Sequence, residues 1–145
     1  MTEREPLAFT VGTGGKLPTR GHEGDAGLDL YVSRMEWVGP GEFRDIPCGV
    51  CVEFPPGYWG LLTGRSSTLR TRGLMVAQGV IDNGYRGELY AGVWNPTQQV
   101  VGVEKGERVA QLIIMPLATE RFEPVIVDEL NDHTRGTSGF GSTGR

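Results

Sequence analysis

The chain has 145 residues, of which 38% are hydrophobic and 22% charged, and its formal net charge is -4. This length fits one domain with a core of its own, and the acidic balance argues against a general nucleic-acid coat or a protein that binds anionic membranes. Two cysteines exclude a disulfide framework, and the absence of a secretory signal and of a membrane-length apolar run predicts a cytoplasmic protein with neither nucleic acid nor membrane as a partner.

Glycine is unusually frequent, with 23 residues, and nine prolines add to it, so the chain must make many tight turns. Between the turn signals lie short apolar or alternating runs, which are typical of strands in an all-β sandwich or barrel. No long amphipathic segment has the helical period. In chain order, the predicted strands are residues 7–11, 28–32, 50–54, 58–62, 74–81, 89–94, 98–103, 109–115 and 122–127.

One helical turn is predicted after the fourth strand. Ser67 is its expected N-cap, residues 68–72 form it, and Gly73 suits the position past its end. The N–H groups at the start of such a turn favour an anion, and the guanidinium of Arg65 suits phosphate oxygens. A plain N-cap beside a surface arginine explains the same residues, so both interpretations stay open.

The Asn83–Gly84 pair lies between two strand-like runs and predicts a two-residue β-hairpin. Asp82 is an ordinary turn residue on that interpretation, because aspartate is common in turns. In the alternative interpretation, the hairpin holds a carboxylate and the aromatic ring of Tyr85 beside a ligand.

The last segment, residues 128–145, changes character, because apolar residues become rare and glycine frequent. We therefore predict two parts, a β domain over residues 1–127 and a flexible arm over residues 128–145. Glycines and hydroxyls in this segment could also place backbone N–H groups around a phosphate. Phe140 is an isolated aromatic residue in a polar segment, which suggests that its ring stacks on a partner.

The remaining chemistry-bearing residues give weaker signals. Cys48 and Cys51 have the C-x-x-C spacing, but residues three apart in a strand point to opposite faces, so we interpret both as structural. The aspartates are dispersed, so no dense carboxylate cage for a metal is evident. Any Mg²⁺ would arrive on a phosphate ligand, since this ion keeps several of its waters.

Taken in order, five segments of the chain resemble the five motifs of the trimeric deoxyuridine triphosphate nucleotidohydrolases, the dUTPases. The resemblance extends over about residues 7–145, nearly the whole chain. The five segments are residues 26–30, 64–67, 79–88, 106–112 and 135–144.

The resemblance implies a β-barrel, jelly-roll-like subunit, a homotrimer with shared active sites at the subunit interfaces, and a Gly-rich arm that closes each site. It implies Mg²⁺-assisted attack of water on the α-phosphate of dUTP, which gives dUMP and pyrophosphate. The expected role is to keep uracil out of DNA and to supply dUMP for thymidylate synthesis.

The resemblance also assigns roles to individual residues. Asp82 matches the aspartate that orients and deprotonates the attacking water, Tyr85 matches the aromatic residue against the deoxyribose, and Asp29 matches the aspartate that reaches Mg²⁺ through water. The residues expected at the triphosphate are Arg65, Ser66, Ser67 and Gln111. The backbone expected around the uracil is Gly79, Val80, Ile81 and residues 87–91, with Tyr90 among them. In the arm, Arg135 is expected on the γ-phosphate, Phe140 over the uracil ring, and Ser142 and Thr143 in the phosphate-binding stretch.

Among the positions at which this chain departs from related patterns, two bear on the base and the reaction. Val76 stands where several family members have a polar asparagine near the base. The related dCTP deaminases carry a glutamate at the position of Gly92, so we do not expect deamination.

A dUTPase-like protein whose main task is to bind a regulatory partner is the remaining alternative.

Overall fold

The computed structural model describes residues 3–136, and nearly all of their regular structure is β-strand. A seven-residue helix and one short 3-10 helix, Thr119–Arg121, complete these residues. The strands are β1 (Ala8–Val11), β2 (Thr19–Arg20), β3 (Gly27–Tyr31), β4 (Glu36–Val38), β5 (Phe43–Pro47), β6 (Val50–Glu53), β7 (Tyr58–Gly64), β8 (Met75–Val76), β9 (Gly79–Ile81), β10 (Tyr90–Trp94), β11 (Val101–Val103) and β12 (Arg108–Pro116); the helix is α1 (Ser66–Arg72).

The strands form four antiparallel sheets, which confirms the predicted all-β fold. The largest has the order β2-β3-β12-β7-β9, and a second has the order β5-β10-β8. Strand pairs β1-β6 and β4-β11 complete the set. Within residues 3–136, neither helix has the length and apolarity needed to span a membrane.

The sheets enclose one continuous apolar core. Leu30, Leu62 and Leu112 on adjacent strands of the large sheet are each at most 1% exposed. Ile46 and Val93 of the second sheet are fully buried too and belong to the same apolar cluster. Each such side chain contributes roughly 1.5–3 kcal/mol through burial, so this cluster fixes the strands that carry the site.

The long predicted strand over residues 74–81 is two short strands. β8 pairs with β10 and β9 pairs with β7, so the chain passes from one sheet to the other between them. The apolar run is continuous because both strands pack on the same core, and that continuity hides the crossing. The strands β2, β4 and β5 were not predicted at all.

The strand predicted over residues 122–127 is absent. No strand among residues 3–136 pairs with this segment, and its apolar side chains are exposed. Phe122 is 74% exposed and Ile126 is fully exposed. Nothing in the described part of one chain therefore covers the apolar side chains of this segment.

The predicted hairpin at Asn83–Gly84 is also wrong. β9 and β10 do not pair with each other, and neither Asn83 nor Gly84 has the positive φ that the favoured hairpin turn requires. Instead the Tyr85 N–H donates to the Asp82 carbonyl at 3.0 Å, so residues 82–85 form a tight turn within a longer loop.

The helical turn is confirmed, but its N-cap is not the predicted one. The N-cap position belongs to Arg65, in extended conformation with no capping side-chain bond, and Ser67 lies inside the helix. Gly73 ends the helix in the left-handed conformation, as expected. The Thr68 hydroxyl donates to the Val109 carbonyl at 3.0 Å and ties α1 to β12.

The two cysteines do not share a strand. Cys48 follows β5, and Cys51 lies in β6, which belongs to another sheet. Both thiols are free, and burial raises the pKa of the Cys48 thiol to about 12. A thiol that stays protonated is unreactive, which supports the structural interpretation although the face argument behind it was wrong.

Candidate functional site

Strand register brings the first, second and fourth motifs together at one end of the large sheet. Asp29 in β3 lies opposite Gln111 in β12, and Gln111 lies opposite Thr63 in β7. Arg65 follows β7 directly, so its side chain starts beside the same row. Three residues far apart in sequence therefore meet because three antiparallel strands align them.

Arg65 is held in one orientation by three acceptors. Its Nε donates to Asp29 Oδ1 at 2.9 Å, and its Nη1 donates to Ser67 Oγ at 3.1 Å and to the Arg108 carbonyl at 3.2 Å. The Arg65 and Asp29 side chains are only 24% and 13% exposed. A fixed guanidinium loses little conformational freedom when it binds an anion.

The side chain of Gln111 is also held in place by its neighbours. Its Nε2 donates to the Gly64 carbonyl at 3.0 Å. Its Oε1 lies over Gly27, where a Cβ would come within 2.5 Å. The glycine of the first motif thus leaves room for the glutamine of the fourth.

These residues line a small polar cleft, which we call the Asp29 cleft. Its volume is about 270 Å³. Two arginines and two aspartates face it, together with hydroxyl, amide and backbone groups. Its lining is Gly21, His22, Asp25, Ala26, Gly27, Asp29, Arg65, Ser66, Arg108 and Gln111.

The donor set of this cleft suits a metal ion that arrives with a ligand. No group of three metal-binding side chains exists among residues 3–136. Asp29 already accepts from Arg65 and lies 3.6 Å from Arg108. A metal ion at this cleft would therefore need most of its direct ligands from a bound ligand or from water.

The third motif forms a second cleft, which we call the Asp82 cleft. Its volume is about 230 Å³, and its lining is Val80, Ile81, Asp82, Tyr85, Glu88, Leu89 and Tyr90. The Tyr85 hydroxyl donates to the Glu88 carbonyl at 2.8 Å, which folds the ring back over the loop. The Asn83 amide donates to the Pro55 and Tyr58 carbonyls and anchors the turn.

The side chain of Asp82 is exposed at the edge of this cleft. Among residues 3–136, none donates a hydrogen bond to its carboxylate or forms an ion pair with it, whereas the Asp29 carboxylate contacts two arginines. The two aspartates therefore have different surroundings, since two guanidinium groups face the carboxylate of Asp29 and none of the described residues pairs with that of Asp82.

The two clefts lie apart within one chain. Ile81, the neighbour of Asp82, pairs with Gly60 of β7. The row of Asp29 and Gln111 crosses β7 at Thr63, three residues further along that strand. This offset is about 10 Å along the strands, and three strand spacings add about 14 Å across the sheet. One phosphate group cannot contact Asp82 and Asp29 of the same chain.

The structure covers only part of the predicted arm. Arg135 is exposed near the end of the described residues, where its N–H donates to His133 Nδ1 at 3.1 Å. Phe140, Ser142 and Thr143 lie outside the described residues. The predicted boundary at residue 127 and the roles of these four residues stay predictions.

Sequence reasoning assigned no role to several residues of the Asp29 cleft, among them His22, Asp25 and Arg108. Arg108 lies on its wall, with Nη1 3.6 Å from Asp29 Oδ2. Strict alternation along β12 would place Arg108 on the same face as the buried Ala110 and Leu112. A charge at such a core position is itself a signal that the strand is irregular there.

Comparison with known proteins gives a consistent result. The family model described as dUTPase matches residues 13–144. A deoxyuridine 5'-triphosphate nucleotidohydrolase from Leifsonia xyli is 41% identical over 132 residues, which cover 89% of this chain and 86% of the relative. One from Anaeromyxobacter is also 41% identical, covering 90% and 88%.

Solved structures agree with the sequence comparison. The dUTPase of Staphylococcus bacteriophage 80alpha, determined with dUPNHPP, superimposes with a TM-score of 0.87 at 29% identity and covers 98% of this chain and 100% of that one. A mutant dUTPase from phage phi11 of S. aureus, described with a structural Mg(II) ion, superimposes with a TM-score of 0.71 at 25% identity, covering 90% and 97%.

Proposed function

The chain belongs to the dUTPase family, and from this premise we propose the reaction that its two clefts carry out. The chain is an enzyme, a dUTP diphosphatase. We propose that it converts dUTP to dUMP and pyrophosphate through attack of water on the α-phosphate. In the cytoplasm this reaction would keep uracil out of DNA and supply dUMP for thymidylate synthesis.

The unpaired carboxylate of Asp82 is the observation that carries this proposal. It is exposed beside a small cleft, and no partner among residues 3–136 competes for its oxygens. Such a carboxylate can orient a water molecule and accept its proton as the water attacks. General-base catalysis of this kind typically contributes about 10²–10⁴-fold to the rate.

The backbone beside Asp82 suits a uracil ring. β9 is an edge strand of the large sheet, so one side of Gly79–Ile81 has N–H and C=O groups that no strand among residues 3–136 pairs. Uracil presents O2, N3–H and O4 to such an edge. Cytosine has the opposite donor pattern at two of these positions and would leave polar groups unpaired, which a binding site discriminates strongly.

Tyr85 and Tyr90 complete the Asp82 cleft around the nucleoside. The Tyr85 ring, held through its hydroxyl by the Glu88 carbonyl, packs under the deoxyribose and leaves no room for a 2′-hydroxyl. Tyr90 belongs to the lining of the same cleft. Shape in this cleft therefore selects the sugar, and backbone pairing selects the base.

The Asp29 cleft binds the triphosphate in this proposal. Arg65 provides a fixed cation, Ser66 and Ser67 provide hydroxyls at the start of α1, and Gln111 provides its amide. Mg²⁺, when bound, neutralises phosphate charge and favours departure of pyrophosphate. Asp29 would hold the hydrated ion through water while it keeps Arg65 in place.

A single chain separates the two clefts, which supports a shared site between copies in a homotrimer. One copy would present its Asp82 cleft to the Asp29 cleft of the next copy. The exposed apolar segment Phe122–Val127, with no strand partner among residues 3–136, supplies a surface for such an assembly. The arm that follows, with Arg135, Phe140, Ser142 and Thr143, would then close the site over the substrate.

Substitution of Asp82 tests the proposal against a matched control. Asp82→Asn is nearly isosteric but cannot accept the proton, so pyrophosphate release from dUTP should fall about 10²–10⁴-fold while the non-hydrolysable analogue dUpNHpp still binds. Asp45→Asn removes an exposed carboxylate of β5 outside both clefts and should change neither quantity. Wild-type turnover in Asp82→Asn would refute Asp82 as the base.

A further inference from the structure

The residue Asp82 follows directly after the last residue pair of the large sheet. β9 pairs with β7 as far as Ile81, which lies opposite Gly60. From there to β10 the chain forms a loop over residues 82–89, in which the side chain of Asp82 is exposed. A general base must stay within hydrogen-bond reach of the water that it deprotonates. A carboxylate in a loop therefore needs an anchor.

The side chain of Asn83 attaches this loop to the turn between β6 and β7. Its Nδ2 donates to the Pro55 carbonyl at 3.0 Å and to the Tyr58 carbonyl at 2.8 Å. An amide nitrogen has two N–H donors, one for each of these acceptors. The acceptors are 28 and 25 residues away in sequence, so the contact joins two separate elements of the fold.

The register of the large sheet explains why Asn83 reaches this turn. Ile81 lies opposite Gly60 in antiparallel register. Continued by two residues, the same register places Asn83 opposite Tyr58, although backbone pairing has already ended. The Asn83 amide therefore bonds the carbonyl of the residue opposite it and extends the contact with β7 beyond the strand. Asp82 lies between two fixed points, the pair at Ile81 and the anchor at Asn83.

The turn that accepts these bonds is itself held by the fold. Residues 55–58 read Pro-Pro-Gly-Tyr, and each proline fixes its own φ. The Gly57 carbonyl accepts from the Leu117 N–H at 2.8 Å. Phe54, which precedes the turn, is 3% exposed and belongs to the apolar core. Bonds to this turn therefore limit movement of the Asp82 loop relative to the core.

The other side-chain bonds of the loop are local. Arg86 Nη1 donates to the Asn83 carbonyl at 2.9 Å and to the Tyr85 carbonyl at 3.3 Å. The Tyr85 hydroxyl donates within the same loop, to the Glu88 carbonyl. In the turn over residues 82–85, Asn83 is the residue whose side chain hydrogen-bonds another element of the described chain.

We propose that Asn83 is a positioning residue, which holds the Asp82 carboxylate in place for its role as general base. This assignment rests on the proposed function, since it requires Asp82 to activate the attacking water. The frequency of asparagine in turns explains the residue type. It does not explain two bonds to a distant turn, whereas the need to fix Asp82 explains them.

Kinetics of the full-length Asn83→Ala variant with dUTP and Mg²⁺ test the assignment. We expect kcat to fall about 10- to 10²-fold, because the carboxylate is no longer held at its productive position. The affinity for dUpNHpp, measured by calorimetry, should change by no more than about twofold, since the lost interaction acts on the transition state. Asn83→Asp keeps the shape of the amide but donates no hydrogen bond when ionised, so it should show the same pattern.

The double variant Asp82→Asn/Asn83→Ala separates positioning from a merely structural role. If Asn83 acts through Asp82, loss of its amide should lower the residual rate of Asp82→Asn by less than about twofold. Independent effects multiply, so a further loss of about 10-fold or more in the double variant would overturn the assignment. Wild-type kcat in Asn83→Ala would overturn it as well, and so would equal losses of kcat and dUpNHpp affinity.

Gln98→Ala is the matched control. It removes an exposed amide from the loop between β10 and β11, outside both clefts, and should change neither kcat nor affinity. Amide hydrogen exchange gives a readout besides activity, because exchange over residues 82–87 should become about tenfold faster in Asn83→Ala and stay unchanged in Gln98→Ala. Unchanged exchange in Asn83→Ala would overturn the anchor. Absence of pyrophosphate release by the wild type would refute the proposed function separately, since exchange is measured without turnover.

Discussion

At the scale of single residues, the missing side chain of Gly87 decides where the Tyr85 ring lies. A Cβ at Gly87 would come within 2.5 Å of the Tyr85 hydroxyl and 2.7 Å of its Cζ. The backbone of Gly87 has no positive φ, so an alanine there displaces the ring without straining the turn. The position of the Tyr85 ring in the Asp82 cleft therefore depends on the absence of a side chain at Gly87.

Gly87→Ala should weaken selection against the ribose. We expect the ratio of kcat/KM for UTP to that for dUTP to rise about tenfold, because displacing the ring opens space for a 2′-hydroxyl. Gly84→Ala is the control, since a Cβ at Gly84 meets nothing within 4 Å. Steady-state kinetics on both nucleotides measure the ratio, and an unchanged ratio in Gly87→Ala would place sugar selection outside Tyr85.

At the scale of strands and turns, the sequence predicted the elements that a local pattern of apolar and polar residues marks. Alternation located β6, β7 and β12 because each buries one face on the core. It missed β5, where Arg44 and Asp45 interrupt the apolar pattern. It misplaced a strand over residues 122–127, because an apolar pattern cannot say whether a partner strand exists.

The residues of the candidate site also divide into those that the sequence identified and those that only the structure identifies. Asp29, Arg65 and Gln111 were found through the resemblance, and strand register explains why they meet. Arg108 lies in the fourth segment but was given no role, because its direction depends on a bulge that pairing with β3 reveals. The Asn83–Gly84 signal predicted the turn but not its context, since the strands on either side pair with other neighbours.

At the scale of the whole molecule, the separation of the two clefts predicts complementation between inactive chains. Asp82→Asn retains an intact Asp29 cleft, and Arg65→Gln retains an intact Asp82 cleft. If each site combines clefts from two copies, mixed assemblies contain sites with both clefts intact. Random mixing of equal amounts should restore about a quarter of the wild-type activity, since the two halves of each site are chosen independently.

Co-refolding of the two variants, with each parent refolded alone as the control, provides the measurement. Mass spectrometry of the intact assemblies establishes that mixed species have formed. Recovered dUTP turnover in those species supports a shared site. Failure to recover activity in verified mixed assemblies would mean that both clefts of one chain serve the same substrate.

The most direct test of the central claim is pyrophosphate release by the wild-type chain from dUTP, dCTP, dTTP and UTP in the presence of Mg²⁺. The base edge of β9 predicts that dUTP is hydrolysed at least about 10²-fold more efficiently than dCTP, and the sugar contact of Tyr85 predicts the same advantage over UTP. Absence of pyrophosphate release from dUTP, or equal rates on all four nucleotides, would contradict the account.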